Sequence, residues 1–144
     1  MTSVFRSIGA RGEVFALYLP ASQWQPGLNF MTRDADFVQV GTWGYAAGTR
    51  LGPHTHNEVK REASRTQEVV FVRAGRIRAH VFDRDDSHVE SIEMTAGDVL
   101  VLLGGGHGYE ILVDGTQVLE VKNGPYPGPE ADRRRFPWSD GAKN

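Results

Sequence analysis

The first candidates for a functional site in this chain are two histidines separated by one residue, His54 and His56. On an extended segment, side chains two residues apart point to the same face, so both imidazoles face one side. Glu68 opens the next apolar run, and His107 follows three consecutive glycines much later in the chain. Three imidazoles and one carboxylate form a credible ligand set for a transition metal. These four residues therefore predict where the chemistry takes place.

The composition restricts which metal such a set would hold. The chain has no cysteine, so any metal is bound through nitrogen and oxygen alone. Imidazole suits Zn, Fe and Ni, and a carboxylate adds a harder oxygen ligand that Mn also accepts. We expect one divalent transition metal: Fe or Mn would support oxidation or isomerisation, whereas Zn or Ni would act as a Lewis acid.

Further polar residues are candidates for proton transfer or substrate binding. Arg78 and His80 alternate with apolar residues in one strand, and they face either the pocket or solvent. Tyr109 lies two residues after His107, so it is either a phenolic donor near the metal or a core residue. Glu120 and Lys122 share one face of a predicted strand. They are either an ion pair exposed to solvent or a pair that faces the pocket and orients sugar hydroxyls.

Length and charge exclude several classes of protein. The chain has 144 residues and 24% charged residues, which is ordinary for one globular domain, 1–144. A net charge of −2 gives no reason to expect binding to nucleic acid or to an anionic membrane. No apolar run approaches the roughly 18 residues of a membrane span, and the first residues do not resemble a signal peptide. A cytoplasmic protein is expected.

Short apolar runs bounded by turn residues predict an all-β sandwich or barrel. The predicted strands are 13–19, 37–47, 68–73, 76–82, 88–94, 99–103, 109–113 and 117–121. Residues 22–34 lack a clear period and are interpreted as a loop. The tail, 123–144, contains four prolines and is expected to pack as an irregular arm through its aromatic residues.

With these positions in place, the sequence resembles the cupin superfamily. Gly48, His54-x-His56, Glu68 and Gly75 are similar to its first motif, and Gly97, the glycine cluster and His107 are similar to its second. The resemblance covers about residues 40–122. It implies a single-domain, double-stranded β-helix, or jelly-roll, barrel that encloses a pocket.

The resemblance also implies that His54, His56, Glu68 and His107 are the metal ligands. The interval 57–67 is longer than the family pattern, and its Glu58 and Glu62 are rival carboxylates. We favour Glu68 because it opens the apolar strand and keeps the six-residue interval to Gly75. The interval itself is either a mobile flap over the pocket or a solvated loop.

Three functions stay open at this point. The favoured one is a metal-dependent enzyme acting on a small, oxygen-rich molecule, with Tyr109, Arg78 or His80 assisting proton transfer. The others are a metal-independent sugar epimerase or isomerase and a non-catalytic ligand-binding module. The C-terminal third resembles small cupins associated with sugar-nucleotide and surface-polysaccharide biosynthesis, which implies a sugar-like or carboxylate substrate. Exposed edge strands such as 13–19 favour a homodimer.

Overall fold

A computed structural model describes residues 5–138, so the ends of the predicted domain and tail, 1–4 and 139–144, lie outside the described residues. Its largest element is an antiparallel five-stranded sheet with the order β1-β2-β8-β5-β10. The strands of this sheet are β1 (Arg6–Ala10), β2 (Glu13–Leu19), β5 (Glu68–Ala74), β8 (Val99–Leu102) and β10 (Gln117–Lys122).

A three-stranded antiparallel sheet, with the order β7-β6-β9, is the second element. It contains β6 (Arg76–Phe82), β7 (His88–Thr95) and β9 (Gly106–Ile111). The remaining strands, β3 (Gly27–Phe30) and β4 (Gly41–Gly44), form a separate hairpin. A 3-10 turn at Ala21–Gln23 and a short helix, α1 (Pro129–Asp132), complete the described part of the chain. No helix among residues 5–138 is long and apolar enough to cross a membrane.

Apolar side chains cover both faces of the five-stranded sheet. The main core includes Val70, Val81 and Leu100, with alternate residues of β5, β6 and β8 contributing to it. A second cluster lies on the opposite face of the sheet, where Met31 and Val40 pack against Val101 and its neighbours. Because β5 and β8 are central and buried on both faces, their sequences are continuous apolar runs rather than alternating ones.

Consecutive strands pass from one sheet to the other. The steps from β5 to β6, from β7 to β8 and from β9 to β10 each connect the three-stranded and five-stranded sheets. Repeated crossing of this kind is typical of jelly-roll proteins. The sheets are nevertheless not closed into a barrel, because β9 and β10 each pair on one side only within the described residues.

The all-β prediction is confirmed, and most of the predicted strands are present within a few residues of their expected bounds. The long strand expected at 37–47 is wrong: only Gly41–Gly44 is a strand, because the side chain of Gln67 binds the backbone N–H groups of Phe37 and Val38. Part of the loop expected at 22–34 is strand β3.

The expectation that residues 13–19 form an exposed edge is also wrong. This strand, β2, pairs with β1 on one side and with β8 on the other. Strand β1 has no clear apolar pattern, so its residues do not indicate the neighbour that covers β2. In the two larger sheets of the described structure, the open edges belong to β1, β10, β7 and β9, while β3 and β4 each pair only with one another.

Candidate functional site

Glu68 and His107 meet on the inner side of the two sheets, although 38 residues separate them in the chain. The distance from His107 Nε2 to Glu68 Oε2 is 3.1 Å. Glu68 is the first residue of β5, and His107 is the second residue of β9. The pair that the sequence predicts to act together is therefore brought into contact by the fold.

Backbone and side-chain hydrogen bonds fix the start of β5 and thereby the position of Glu68. The backbone N–H of Gln67 donates to Asn123 Oδ1 at 2.7 Å, and Asn123 Nδ2 donates to the carbonyl of Arg65 at 3.2 Å. The buried side chain of Gln67 donates to the carbonyl of Leu103 at 3.1 Å. Glu68 is held in register with Lys122 as a result.

A glycine turn places His107. Gly105 has φ +68°, and a Cβ atom at this position would lie 2.2 Å from the carbonyl oxygen of Phe82. Only glycine fits so close an approach of two backbone segments. The turn directs the chain into β9, where His107 pairs in register with Val81 of β6.

The charges around Glu68 keep its carboxylate ionised. Lys122 Nζ lies 3.5 Å from Glu68 Oε1 and 3.5 Å from Glu120 Oε2. Burial alone would raise the pKa of Glu68, but contact with His107 and the charge of Lys122 outweigh it and lower this pKa from 4.5 to about 2. The Glu120–Lys122 pair, for which the sequence left two interpretations open, borders the cavity.

One oxygen of this carboxylate has an unfilled hydrogen-bonding position. The side chain of Glu68 is 7% exposed. Among residues 5–138, its Oε2 has the ion-pair contact with His107 Nε2 but no hydrogen bond of good geometry. A buried charged oxygen without a donor is costly, so this position favours a bound hydrogen-bond donor or cation.

Tyr109 lies beside His107, and the centroids of their rings are 5.6 Å apart. Both side chains line the same cavity. Tyr109 is 38% exposed, and its partial desolvation raises its pKa above the ordinary value, with the negative charges of Glu68 and Glu120 raising it further. The phenol is consequently neutral at physiological pH and can donate a hydrogen bond to an oxygen in the cavity.

The cavity has a volume of about 1340 Å³, enough for a sugar-sized ligand. The C-terminal arm forms one of its walls, as expected from the aromatic residues of the tail. The ring of Phe136 lies 5.1 Å from that of Phe82, and the ring of Trp138 lies 4.4 Å from that of His80. The aromatic residues of the tail predict this packing but not its place beside Glu68 and His107.

His54 and His56 lie elsewhere, on the exposed segment between β4 and β5. Their rings are 5.1 Å apart, but neither residue lines the cavity of Glu68 and His107. Within residues 5–138, no three histidine, aspartate or glutamate side chains are arranged to hold a metal ion. Of the four predicted ligands, the fold therefore brings Glu68 and His107 into contact with each other but not with His54 and His56. Two ligands alone do not make up the predicted four-ligand centre.

The other candidate residues lie on the three-stranded sheet. Arg78 is outside the cavity lining, where it forms ion pairs with Glu93 at 3.0 Å and Glu110 at 2.9 Å. His80 is buried beneath the C-terminal arm and its Nδ1 lies 2.6 Å from Ser91 Oγ. His88 Nε2 approaches the same hydroxyl at 2.7 Å, an arrangement that the sequence did not predict.

Comparison of the chain with protein-family models, curated proteins and solved structures finds no match.

Proposed function

We propose that the cavity binds a small, oxygen-rich carbonyl compound, such as a keto sugar, and isomerises it by proton transfer. The observation that carries this proposal is the contact of His107 with a buried, ionised carboxylate beside a neutral phenol. A carboxylate facing one ring nitrogen orients an imidazole and favours the tautomer with its proton on that nitrogen. His107 Nδ1 is then the base.

The positions of the two groups favour isomerisation over epimerisation. His107 and Tyr109 are two residues apart on one strand, so both groups approach a ligand from the same side. Epimerisation by two groups needs an acid and a base on opposite faces of one carbon. A single base can instead take a proton from the carbon beside a carbonyl and return it to the former carbonyl carbon.

The neighbouring residues support this reaction. The phenol of Tyr109 would donate a hydrogen bond to the carbonyl oxygen, where negative charge develops as the proton leaves the carbon. A ligand hydroxyl would donate to the carboxylate of Glu68, which lines the cavity. A hydroxyl proton passes from one oxygen to the other, so the product is an isomer of the substrate.

We also propose that the closed form of this protein is a cupin-like barrel. The agreement of Glu68 and His107 with both motifs supports this assignment, as does Gly75, which forms the β5–β6 turn with φ +84°. The alternation of strands between the two sheets agrees with it too.

Solvent exchange tests the proposed reaction. Metal-free protein would be incubated in D₂O with a panel of free and nucleotide-linked keto sugars and 2-keto acids, and deuterium uptake at carbon followed by mass spectrometry. We expect uptake into at least one compound, with loss of about two orders of magnitude in rate for His107→Gln. His88→Gln, an imidazole outside the cavity lining, is the matched control and should keep the rate.

A second candidate function is the metal-dependent enzyme expected from the sequence. The observation in its favour is again Glu68 Oε2, a buried anionic oxygen without a donor, because such an atom suits a divalent cation. Elemental analysis of protein purified without added metal tests it. Near-stoichiometric metal that is lost in a His54→Ala, His107→Ala double variant would favour this candidate, whereas exchange that persists in chelator would favour the metal-free reaction.

A further inference from the structure

The cavity extends beyond the residues that the proposed reaction uses. Its volume of about 1340 Å³ exceeds the roughly 300–1,000 Å³ that is usual for a small-molecule pocket. The lining also includes Arg65, Arg84 and Gly104, together with residues 131–136 of the C-terminal arm. None of these residues takes part in the proposed proton transfer, so they are available to bind another portion of a ligand.

An open point beside Gly104 is bordered by two guanidinium groups. A Cβ atom placed on Gly104 would lie 3.8 Å from Arg84 Nη2 and 3.9 Å from Arg65 Nε. Apart from the chain neighbours of Gly104, no other described residue comes within 4 Å of this point. Two cationic donors that approach one point with no side chain between them favour a negatively charged oxygen there, because it can accept hydrogen bonds from both.

Both guanidinium groups are oriented by the protein and still have unused N–H groups. Arg65 Nε donates to the carbonyl of Leu103 at 3.1 Å, and Arg65 Cζ lies 5.3 Å from the ring centroid of Phe37. Arg84 Nε donates to both carboxylate oxygens of Glu13, at 2.8 and 3.0 Å, and Arg84 Nη2 contacts the same carboxylate. Within residues 5–138, the two terminal nitrogens of Arg65 and Nη1 of Arg84 have no acceptor. These donors are therefore preoriented for a ligand.

The carboxylates of the same part of the lining already have partners. Asp86 binds Arg134 through both of its oxygens, at 3.0 and 2.7 Å. Asp132 Oδ1 accepts a hydrogen bond from the hydroxyl of Thr66 at 2.6 Å, and Asp83 Oδ1 accepts two backbone N–H groups of its own turn. The unused arginine donors are consequently left for an acceptor that comes from outside the chain.

The C-terminal arm adds two further cations. Arg133 and Arg135 line the cavity, and neither forms an ion pair or a side-chain hydrogen bond with the part of the chain that the structure describes. Desolvation lowers the pKa of Lys122, and the negative charges of Glu68 and Glu120 outweigh it, whereas the positive charge of Arg133 opposes them. Arg133 is therefore close enough to Lys122 for their like charges to repel, and an anion between them would relieve that repulsion.

We propose that this part of the cavity binds a phosphoryl group of the substrate, for which Gly104 leaves the space and Arg65 and Arg84 supply donors. A planar guanidinium can donate to two phosphate oxygens at once, and several arginines suit the charge of a phosphate better than the single charge of a carboxylate.

The chain sets the distance from this position to the reacting residues. Gly104 is three residues before His107, so their Cα atoms are at most about 11 Å apart. A phosphate ester of a sugar can bridge that separation. The keto-sugar part of this ligand rests on the proposed function, whereas binding of the phosphoryl group does not require turnover.

Titration calorimetry of the metal-free, full-length protein with inorganic phosphate tests this site. Gly104→Ala fills the open point at ordinary contact distances, and the φ of Gly104 lies outside the left-handed region, so the variant should keep its urea midpoint. Gly44→Ala, in strand β4 and with nothing within 4 Å of the new Cβ, is the matched control outside the lining. Arg133→Gln is a second test variant, because its side chain holds no described part of the fold.

We expect saturable phosphate binding to the wild type and to Gly44→Ala. The dissociation constant should rise about tenfold or more in Gly104→Ala and in Arg133→Gln, since charge-assisted contacts are lost. Absence of saturable binding to the wild type would overturn the proposal. Equal affinity in the wild type and in both test variants would overturn it as well.

Two ligand pairs identify the source of the phosphoryl group. Tighter binding of dihydroxyacetone phosphate than of dihydroxyacetone would assign it to a phosphate monoester, and tighter binding of uridine diphosphate glucose than of glucose would assign it to a diphosphate. Gly104→Ala should remove the advantage in either pair. Deuterium uptake without phosphate binding would refute this site and leave the proposed reaction standing, whereas phosphate binding without deuterium uptake into any compound would support this site and refute the reaction.

Discussion

Replacement of Glu68 by glutamine should remove a pH-dependent part of the stability of this protein. Glutamine has the shape of the protonated side chain but no charge, so Glu68→Gln mimics the acid form at every pH. In the folded protein the pKa of Glu68 is lowered from 4.5 to about 2. A carboxylate with a lowered folded-state pKa stabilises the protein above its unfolded pKa, and this contribution is lost as the pH falls through the folded value.

The magnitude follows from the size of the shift. A lowering of about 2.5 pKa units corresponds to about 3 kcal/mol of unfolding free energy at neutral pH. Linkage predicts that roughly half of this contribution is left at pH 3 and that it vanishes below pH 2. The variant should therefore be less stable than the wild type at pH 7, by up to about 3 kcal/mol, with a difference that shrinks on acidification.

Urea unfolding of metal-free protein at several pH values between 7 and 3 measures this difference. Glu120→Gln is the control, because Glu120 contacts the same lysine from an exposed position and should change stability by less than about 1 kcal/mol. Parallel loss of stability in the wild type and in Glu68→Gln between pH 5 and pH 3 would refute the reasoning. Equal stability of the two proteins at pH 7 would do so too.

Three further changes test the surroundings of the site. Gly75→Ala should destabilise the fold by about 2–4 kcal/mol in urea unfolding, since Gly75 has φ +84° and its new Cβ would lie 2.2 Å from Thr116 Oγ1. The control Gly115→Ala has a similar φ but open space around the new Cβ, so it should cost only about 1 kcal/mol. Equal losses of stability in the two variants would contradict the steric argument. Gln67→Leu should cost about 2–4 kcal/mol because two backbone N–H groups lose their acceptor; an unchanged urea midpoint would count against this role. Ionised tyrosines absorb at about 295 nm, and Tyr109 should not contribute to the rise in this absorbance between about pH 9 and pH 11, since its pKa is raised above the ordinary range. The rise should therefore be the same in Tyr109→Phe as in the wild type. A smaller rise in the variant would mean that this phenol titrates normally.

The strands that the sequence predicted well have local signals. Strand β6 was expected at 76–82 and is found at Arg76–Phe82, where apolar residues alternate and a glycine turn precedes them. Strands whose partners decide their existence were predicted poorly. Strand β1 has few apolar residues and depends on β2. The expected strand at 37–47 is shortened because the backbone N–H groups of Phe37 and Val38 donate to the side-chain oxygen of the distant Gln67.

The same distinction applies to the site. The motif intervals predict that Glu68 and His107 act together, and the fold brings their side chains into contact. A nearby glycine turn places His107, whereas Glu68 is held by hydrogen bonds of Gln67 to Asn123 and Leu103, which are distant in the chain. His54 and His56 lie on the exposed segment between β4 and β5, outside any strand of the described structure. Their place in a metal centre stays a prediction.

The hydroxyl of Ser91 links the positions of the protons on two histidine rings beneath the C-terminal arm. Its hydroxyl lies between His80 Nδ1 and His88 Nε2, and a hydroxyl has one hydrogen to donate. When both imidazoles are neutral, Ser91 can donate to one ring and must accept from the other. A proton on His80 Nδ1 therefore goes with a proton on His88 Nδ1, and the reverse arrangement places the protons on the two Nε2 atoms. The tautomers of the two rings are therefore coupled, so that a change of tautomer in one ring requires a change in the other.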